Sequence, residues 1–471
     1  MFVIGIQVKT VFFILIILYV CQIYLVADDS HVWKHEESAT QDQKRQIPYA
    51  DENSDLLELP LPVPIPIHKT QKSEKKASES EDEKIAQEES KKEEVKYTED
   101  DTFGVPVPAV GTSPNSGLMY GVLLAVVTET DGYIDHILAP MASYNDLTGY
   151  NVDVNYFGFP STDISYQLYF SHSSENYWEY SYIYKHKHFL RDDFTFFAKG
   201  KFAHESANKF YGIGAKSSED DETCYTERNI EFELNLIWEV WEHFFLSASW
   251  KGRANWIRKG IIDDTPTIKE KFADVEGING GYAMPFSFGI IYDSRDDDVS
   301  PSEGIFSQAY VEGAHESLLS SFSYAKLGVD GRAYIPIDED KKFITVVRLL
   351  FEYMTGKDIP FYELSMLGGV STLRGFGDGR FYDNHRFLVN IEERIRLFRF
   401  VAAGILVDFE GAVWVEVGQV FGSFDEIRTN DIQTVVGIGF RFVIRTQIVA
   451  KVDIGYGDEG EAVFAGIDYP F

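Results

Sequence analysis

Gly368-Gly369-Val370-Ser371-Thr372-Leu373-Arg374-Gly375-Phe376 decides how this chain is read. Glycines open the stretch and flank its arginine, and it interrupts a long series of segments in which apolar and polar residues alternate. Five such segments follow it: Phe387–Leu397, Val413–Phe421, Val435–Val443, Val449–Tyr456 and Ala462–Phe471. Others precede it. In Ile230–Leu236, Ile230, Phe232, Leu234 and Leu236 share one face of a strand, and Glu231, Glu233 and Asn235 share the other. Asn151–Tyr156 alternates in the same way. Period-two alternation is the signature of a strand whose two faces meet different environments.

Carboxylates facing hydrocarbon are very costly, so the polar faces must look into an enclosed wet interior. An open sheet edge in lipid would strand its backbone donors and acceptors, so the sheet must close. From Thr102 onward no run is long and apolar enough for a membrane helix, and the many short alternating runs mean an all-β structure. The expectation is an antiparallel transmembrane β-barrel over residues 102–471, with the Arg374 stretch folded into its lumen. Five crossings after an extracellular loop leave the C-terminus on the periplasmic side, and bacterial barrels have even strand numbers. Roughly twelve candidates precede the loop, one too many for parity, with the surplus placed within His136–Lys185. That predicts sixteen strands, starting at Gly117–Val127. Aromatics at 15%, with 27 Tyr and 36 Phe, suit two interfacial girdles.

Residues 1–27 read as a secretory signal: Lys9, an apolar run from Thr10 to Ala27, then Asp28-Asp29. The run is also long enough to be an uncleaved anchor. Residues 28–101 read as a disordered linker. Pro60, Pro62, Pro64 and Pro66 alternate with aliphatics, favouring an extended rod, and Lys69–Asp101 is nearly all Lys, Glu, Ser and Asp. With the signal removed only Cys224 remains, which excludes an internal disulfide framework. A net charge of −32 argues against nucleic acid as a partner.

Three motifs resemble the bacterial surface antigen superfamily of outer-membrane protein-assembly barrels, the BamA/TamA type. Leu373-Arg374-Gly375-Phe376 is similar to its loop signature, Phe210-Tyr211-Gly212-Ile213-Gly214 to an aromatic-Gly-x-Gly loop, and Asp293-Ser294-Arg295-Asp296 with Pro301 and Gly304 to a strand-turn-strand pattern. The resemblance covers about Phe103 to Phe471. It implies that Arg374 reaches into the lumen and pairs with acids on the next two strands. Glu392 matches the first acidic position. Glu416, within Trp414-Val415-Glu416-Val417-Gly418, matches the second, where the family usually carries the shorter Asp. Gly375, Gly377 and Gly379 would let the loop turn. Tyr469 and Phe471 resemble a C-terminal assembly signal, on one face with Val463, Ala465 and Ile467.

The resemblance further implies outer-membrane lipids and the barrel-assembly machinery as partners, and a role in inserting outer-membrane proteins or translocating polypeptides. The 28–101 segment is too short and polar for a POTRA module, so direct assembly-factor activity is less expected than for a full-length relative, and client proteins or a separate periplasmic POTRA protein would be received through this tether. A passive channel or structural barrel is the alternative, and a barrel hydrolase a third reading. No cofactor is implied, no nucleophile elbow or phosphate loop is present, and no enzymatic activity is expected. Asp293, Asp296, Asp297 and Asp298 read as a strand end and turn, and His186 with His188 as a surface pair, so no metal site is expected.

Overall fold

The computed structural model describes residues 101–471, except positions 114, 116, 131–132, 176, 263–264, 298–299, 403–404, 445–447, 468, 470 and 471. The signal segment and the linker lie outside the described residues. Alternation does set the sidedness. Asn151, Asp153 and Asn155 are buried while Val152 between them is 53% exposed. In the Ile230 segment Glu233 and Asn235 are buried, and Ile230, Leu234 and Leu236 face outward.

The strands are β1 (Asp101–Ser113), β2 (Gly117–Thr130), β3 (Tyr133–Asn145), β4 (Gly149–Ser161), β5 (Ile164–Ser173), β6 (Tyr177–His186), β7 (Phe194–Phe210), β8 (Thr223–Trp241) and β9 (Phe244–Lys259). A strand in two pieces follows, β10 (Gly281–Ala283 and Phe286–Asp293), both pieces pairing with β9 and split at Pro285, which has no N–H to give the ladder. Then come β11 (Gly304–Ala314), β12 (Ser323–Pro336), β13 (Phe343–Lys357), β14 (His385–Ala402), β15 (Ile405–Phe421), β16 (Gln433–Ile444), β17 (Ile448–Gly457) and β18 (Gly460–Ile467). Each pairs antiparallel with its sequence neighbours, and β18 returns to β1, so the sheet is a closed barrel.

The barrel has 18 strands among the described residues, which corrects the expected sixteen. Four of the five strands after the loop stand where alternation places them, and the fifth, expected over Ala462–Phe471, runs Gly460–Ile467. The undercount lies before it. The stretch suspected of holding a surplus candidate, His136–Lys185, contains parts of four strands, β3 to β6. The barrel also begins earlier than expected, with β1 rather than Gly117–Val127. Val105-Pro106-Val107-Pro108 hides this strand from a propensity reading, because proline is excluded from central ladders and tolerated at edges.

The connections differ at the two barrel ends. Segments 211–222, 260–280, 358–384 and 422–432 all emerge at the end away from the C-terminus, whereas most turns at the other end are short. Phe210, Ile268, Phe361, Tyr362, Leu364 and Tyr382 form one buried cluster there, which welds the 260–280 and 358–384 segments over the barrel mouth.

A candidate lumenal lock

The 358–384 segment turns back into the barrel. Its arms pair as a short ladder, Ser365–Leu367 against Phe381–Asp383. Gly368 and Gly369 make the inward turn at φ 116° and 89°, conformations that L side chains rarely adopt. Of the glycines expected to do this, Gly379 has a positive φ of 64°. Gly375 serves closeness instead: a Cβ there would lie 2.8 Å from the Gly457 backbone nitrogen. Thr372 Oγ1 donates to the Gly368 carbonyl (2.6 Å) and accepts from its N–H (2.9 Å), tightening the tip. Leu373 and Phe376 pack among Leu350, Leu388, Val420 and Val435 of the inner wall.

Between those two side chains, Arg374 is fully buried. Its Nε donates to Glu416 Oε1 at 2.6 Å, and its backbone N–H donates to Glu416 Oε2 at 2.6 Å. Nη1 donates to Glu392 Oε2 at 2.8 Å and to Asp453 Oδ2 at 3.0 Å. The guanidinium carbon sits 3.8 Å from the centre of the Trp414 ring, a cation–π contact. Glu392 comes from β14, Glu416 and Trp414 from its neighbour β15, and Asp453 from β17 two strands further on, so the arginine ties three strands of the wall to one loop. Two more arginines complete the charge balance. Arg394 Nε donates to Glu392 Oε1 at 2.8 Å, and Arg441 lies 2.6 Å from Asp453 and 3.4 Å from Glu392.

The two expected partners of Arg374 therefore both lie against it. Glu416 is one methylene longer than the usual Asp, and its carboxylate is used twice, by main chain and side chain of Arg374. Asp453, Arg441 and Trp414 were not singled out from sequence. The signal for Asp453 was present, an acid on the polar face of Val452-Asp453-Ile454-Gly455-Tyr456. Gly455 is explained by the loop as well, since a Cβ there would lie 2.1 Å from the Arg374 carbonyl oxygen.

The loop has further anchors. Arg348 Nη1 donates to the Ser371 carbonyl (2.7 Å), and Arg386 Nη1 to that of Met366 (2.7 Å). Arg380 Nε donates to Glu459 Oε2 (2.8 Å), while its Nη2 donates to the Ser217 carbonyl (2.7 Å). The second quoted motif docks on the same loop: Ile213 bridges to Tyr382, and Gly214 N–H donates to the Tyr382 carbonyl at 2.7 Å. Nearby, burial pushes the Asp383 carboxyl up to about 6, and the neighbouring Glu426 adds to the rise.

The third motif lies at the short-turn end. Arg295 Nη2 donates to Asp293 at 2.7 Å, and Asp296 accepts from Ser302 and Glu303 N–H groups at 2.8 and 3.0 Å. Burial opposes charge on Asp296, but the hydrogen bonds from Ser302 and Lys341 outweigh it and hold the carboxyl at about 2. His188 contacts Asp163 (3.1 Å) and His186 contacts the Tyr184 hydroxyl (3.2 Å). No cluster of three or more potential metal ligands occurs among the described residues. Tyr469 departs from the outward face expected for it. Its hydroxyl donates to Glu410 (2.8 Å), and its ring lies 3.7 Å from the Arg394 guanidinium, so the chain turns inward after β18. Phe471 lies outside the described residues.

A closed antiparallel sheet with an apolar exterior and a polar, charged interior defines a β-barrel of the membrane-spanning kind. The Omp85 superfamily domain matches residues 155–446, and the chain belongs to that superfamily. Among solved structures it is similar to BamA from Haemophilus ducreyi lacking POTRA domains 1–3 (15% identity, 78% of this chain, 70% of that one, TM-score 0.47). It is also similar to CdiB from Acinetobacter baumannii (12% identity, 79% of this chain, 60% of that one, TM-score 0.43). A third likeness is to Wzi from Escherichia coli, an outer-membrane carbohydrate-binding β-barrel involved in capsule assembly (10% identity, 84% of this chain, 90% of that one, TM-score 0.35).

Proposed function

We propose that this protein inserts outer-membrane proteins or translocates polypeptides from within a bacterial outer membrane, and that it does so by opening the seam between β1 and β18. Arg374, Glu392 and Glu416 act as a lock that holds the loop in the lumen. The observation that carries the reading is the make-up of the seam. Thr112 pairs with Ala465, the single registered pair between these strands among the described residues, against thirteen between β1 and β2. Continued at that register, Pro108 would stand opposite Tyr469. Pro108 has no N–H to donate, and Tyr469 turns into the lumen instead. Pro106, Pro108 and Thr112 share one parity, so all three turn their backbone groups to the same neighbour. The unbroken β1–β2 register favours the seam as the side that loses two donors. A client strand with free donors and acceptors fits such an edge better than β1 and β18 fit each other.

On this reading the partners are outer-membrane lipids, the assembly machinery that builds the barrel, client polypeptides and a separate periplasmic POTRA protein. Tyr469 and Phe471 serve as an assembly signal before folding, since Tyr469 is turned inward afterwards. The test uses Thr112→Cys with Ala465→Cys, in a background with Cys21 and Cys224 replaced by Ser. Reconstituted in liposomes, the reduced pair supports insertion of a small urea-unfolded outer-membrane barrel, and oxidation abolishes it. Insertion undiminished by oxidation, or absent with the pair reduced, overturns the reading.

A further inference from the structure

The lumenal loop touches both sides of the seam. On the β18 side, Val370 packs on Ala462 and Phe464, which project inward from that strand. Arg380 grips Glu459, in the turn that leads into β18. On the other side, Asn115, in the turn joining β1 to β2, donates its Nδ2 proton to the Asp378 carbonyl at 2.8 Å. Val370, Asp378 and Arg380 belong to one short, tightly hydrogen-bonded segment whose tip is held by Arg374. Backbone-to-backbone contact between Gly455 and Arg374 fixes that segment against β17, the strand that carries β18.

We infer that the loop is a clasp across the seam: it holds β18 through Val370 and Arg380 and the β1–β2 hairpin through Asp378, so the seam parts only when the loop shifts. The geometry explains how a closure with so sparse a ladder of its own stays shut. The β1–β18 closure, with one registered pair among the described residues, is supported from inside by packing on Phe464 and one hydrogen bond from Asn115. The contacts are few and lie at the loop end of the barrel. A small displacement of the loop's flanks at Val370 and Asp378–Arg380 would release both sides together, while the Arg374 cluster keeps the tip in the lumen. Asn115 and Val370 are thus positioning residues for the seam. The inference deepens the proposed function, because it names the element that controls the same opening.

Amide hydrogen exchange of the full chain in lipid nanodiscs, without any client, tests the clasp separately from insertion activity. Asn115→Ala removes only the donor, and Val370→Ala only the packing. Each is expected to speed exchange in Gly460–Ile467 and Asp101–Ser113 by about tenfold, with Phe244–Lys259 unchanged. Seam exchange that stays at the wild-type rate overturns the clasp, and so does a uniform acceleration in every strand, which would mean general destabilisation. Should Val370→Ala fail to fold, Asn115→Ala carries the test alone. A protein that inserts no client but shows the seam-specific acceleration keeps the clasp and loses the proposed function.

Discussion

The inner wall of β3 to β5 and that of β12 to β17 are built from different chemistry. The first presents Ser143, Asn151, Asn155, Ser165, Gln167 and Ser171, nearly all neutral, and its strands are joined by short turns at both ends. The second presents Asp330, Arg348, Glu392, Arg394, Glu416 and Asp453, joined in ion pairs, and it carries the long 358–384 segment. Both walls are polar inside and apolar outside, so both satisfy the requirement for a membrane barrel. Only one holds a loop. Charge is concentrated where a guanidinium arrives to neutralise it, and amides and hydroxyls dominate elsewhere; the exception on the first wall is Asp153, which accepts from the Tyr169 hydroxyl at 2.9 Å. Polar-inside is thus a property of the barrel class, whereas buried charge marks the docking wall, because an unpaired buried charge is far more costly than an unpaired amide.

The sharpest way to break that comparison is Arg374→Ala. It would leave Glu392, Glu416 and Asp453 around a void, with Arg394 and Arg441 still paired to Glu392 and Asp453. Removal of one partner from a buried ion cluster costs about 3–5 kcal/mol. The expected outcome is a large fall in the unfolding midpoint in detergent, together with cleavage of the 358–384 segment by added protease. Arg374→Lys should recover only part of this, since an ammonium cannot serve Glu416, Glu392 and Asp453 at once with directed donors. An unchanged melting profile would show that the charged wall stands without its loop.

Gly455→Ala comes next. The added Cβ would lie 2.1 Å from the Arg374 carbonyl, on backbone that has nowhere to yield. Overpacking of this kind costs about 1–3 kcal/mol. Since the charges stay in place, protease sensitivity of the loop should rise while the strands keep their circular dichroism. That separates loop docking from charge balance, which Arg374→Ala disturbs together.

How much of this was legible from residues follows the same division. Strict alternation gave the sidedness of β4 and β8 and the five strands after the loop, because period two needs only apolar and polar types in order. Glu392 and Glu416 lay on inward faces of the two strands that follow the loop, so their reach to Arg374 was open to inference. Asp453 was not linked to it, as it sits two strands further on, and alternation gives the face of a residue but not which groups meet across a lumen. The strand count failed where local signals weaken. β1 carries Pro106 and Pro108, and β3 to β6 run together as aromatic-rich segments with very short turns. The Arg380 contacts join segments 163 and 79 residues apart in sequence, beyond any local pattern.

A smaller effect concerns the mouth above the docking wall. Burial lifts the Asp383 carboxyl to about 6, above its unfolded value, so the folded state binds an extra proton between roughly pH 4 and 6. Its charged form therefore costs stability above about pH 6, and that cost disappears as pH falls through this window. Asp383→Asn keeps an acceptor for the Asn384 N–H and removes the charge facing Glu426. At pH 7.5 it should stabilise the folded loop by up to about 2 kcal/mol, and at pH 4 by almost nothing. Thermal melts at the two pH values would show it; equal gains at both would mean that the carboxyl is not strained by its burial.

The smallest effect is expected on the neutral wall, at Gln167→Ala. Gln167 is buried on the lumenal face of β5, and its Oε1 has no hydrogen-bond partner among the described residues. An amide whose oxygen is already unpaired loses little when it is deleted, because its removal strands no charged partner and breaks at most the bonds of one Nε2 group. The change should shift stability by less than about 1 kcal/mol, a fraction of the Arg374→Ala effect. The contrast is informative because the two side chains are similarly buried in the same barrel. If Gln167→Ala destabilised the protein as much as Arg374→Ala, burial alone would set the energetics of the lumen and the charged wall would have no separate standing. If it is near neutral, the 358–384 loop and its carboxylates form a distinct unit set into a tolerant barrel.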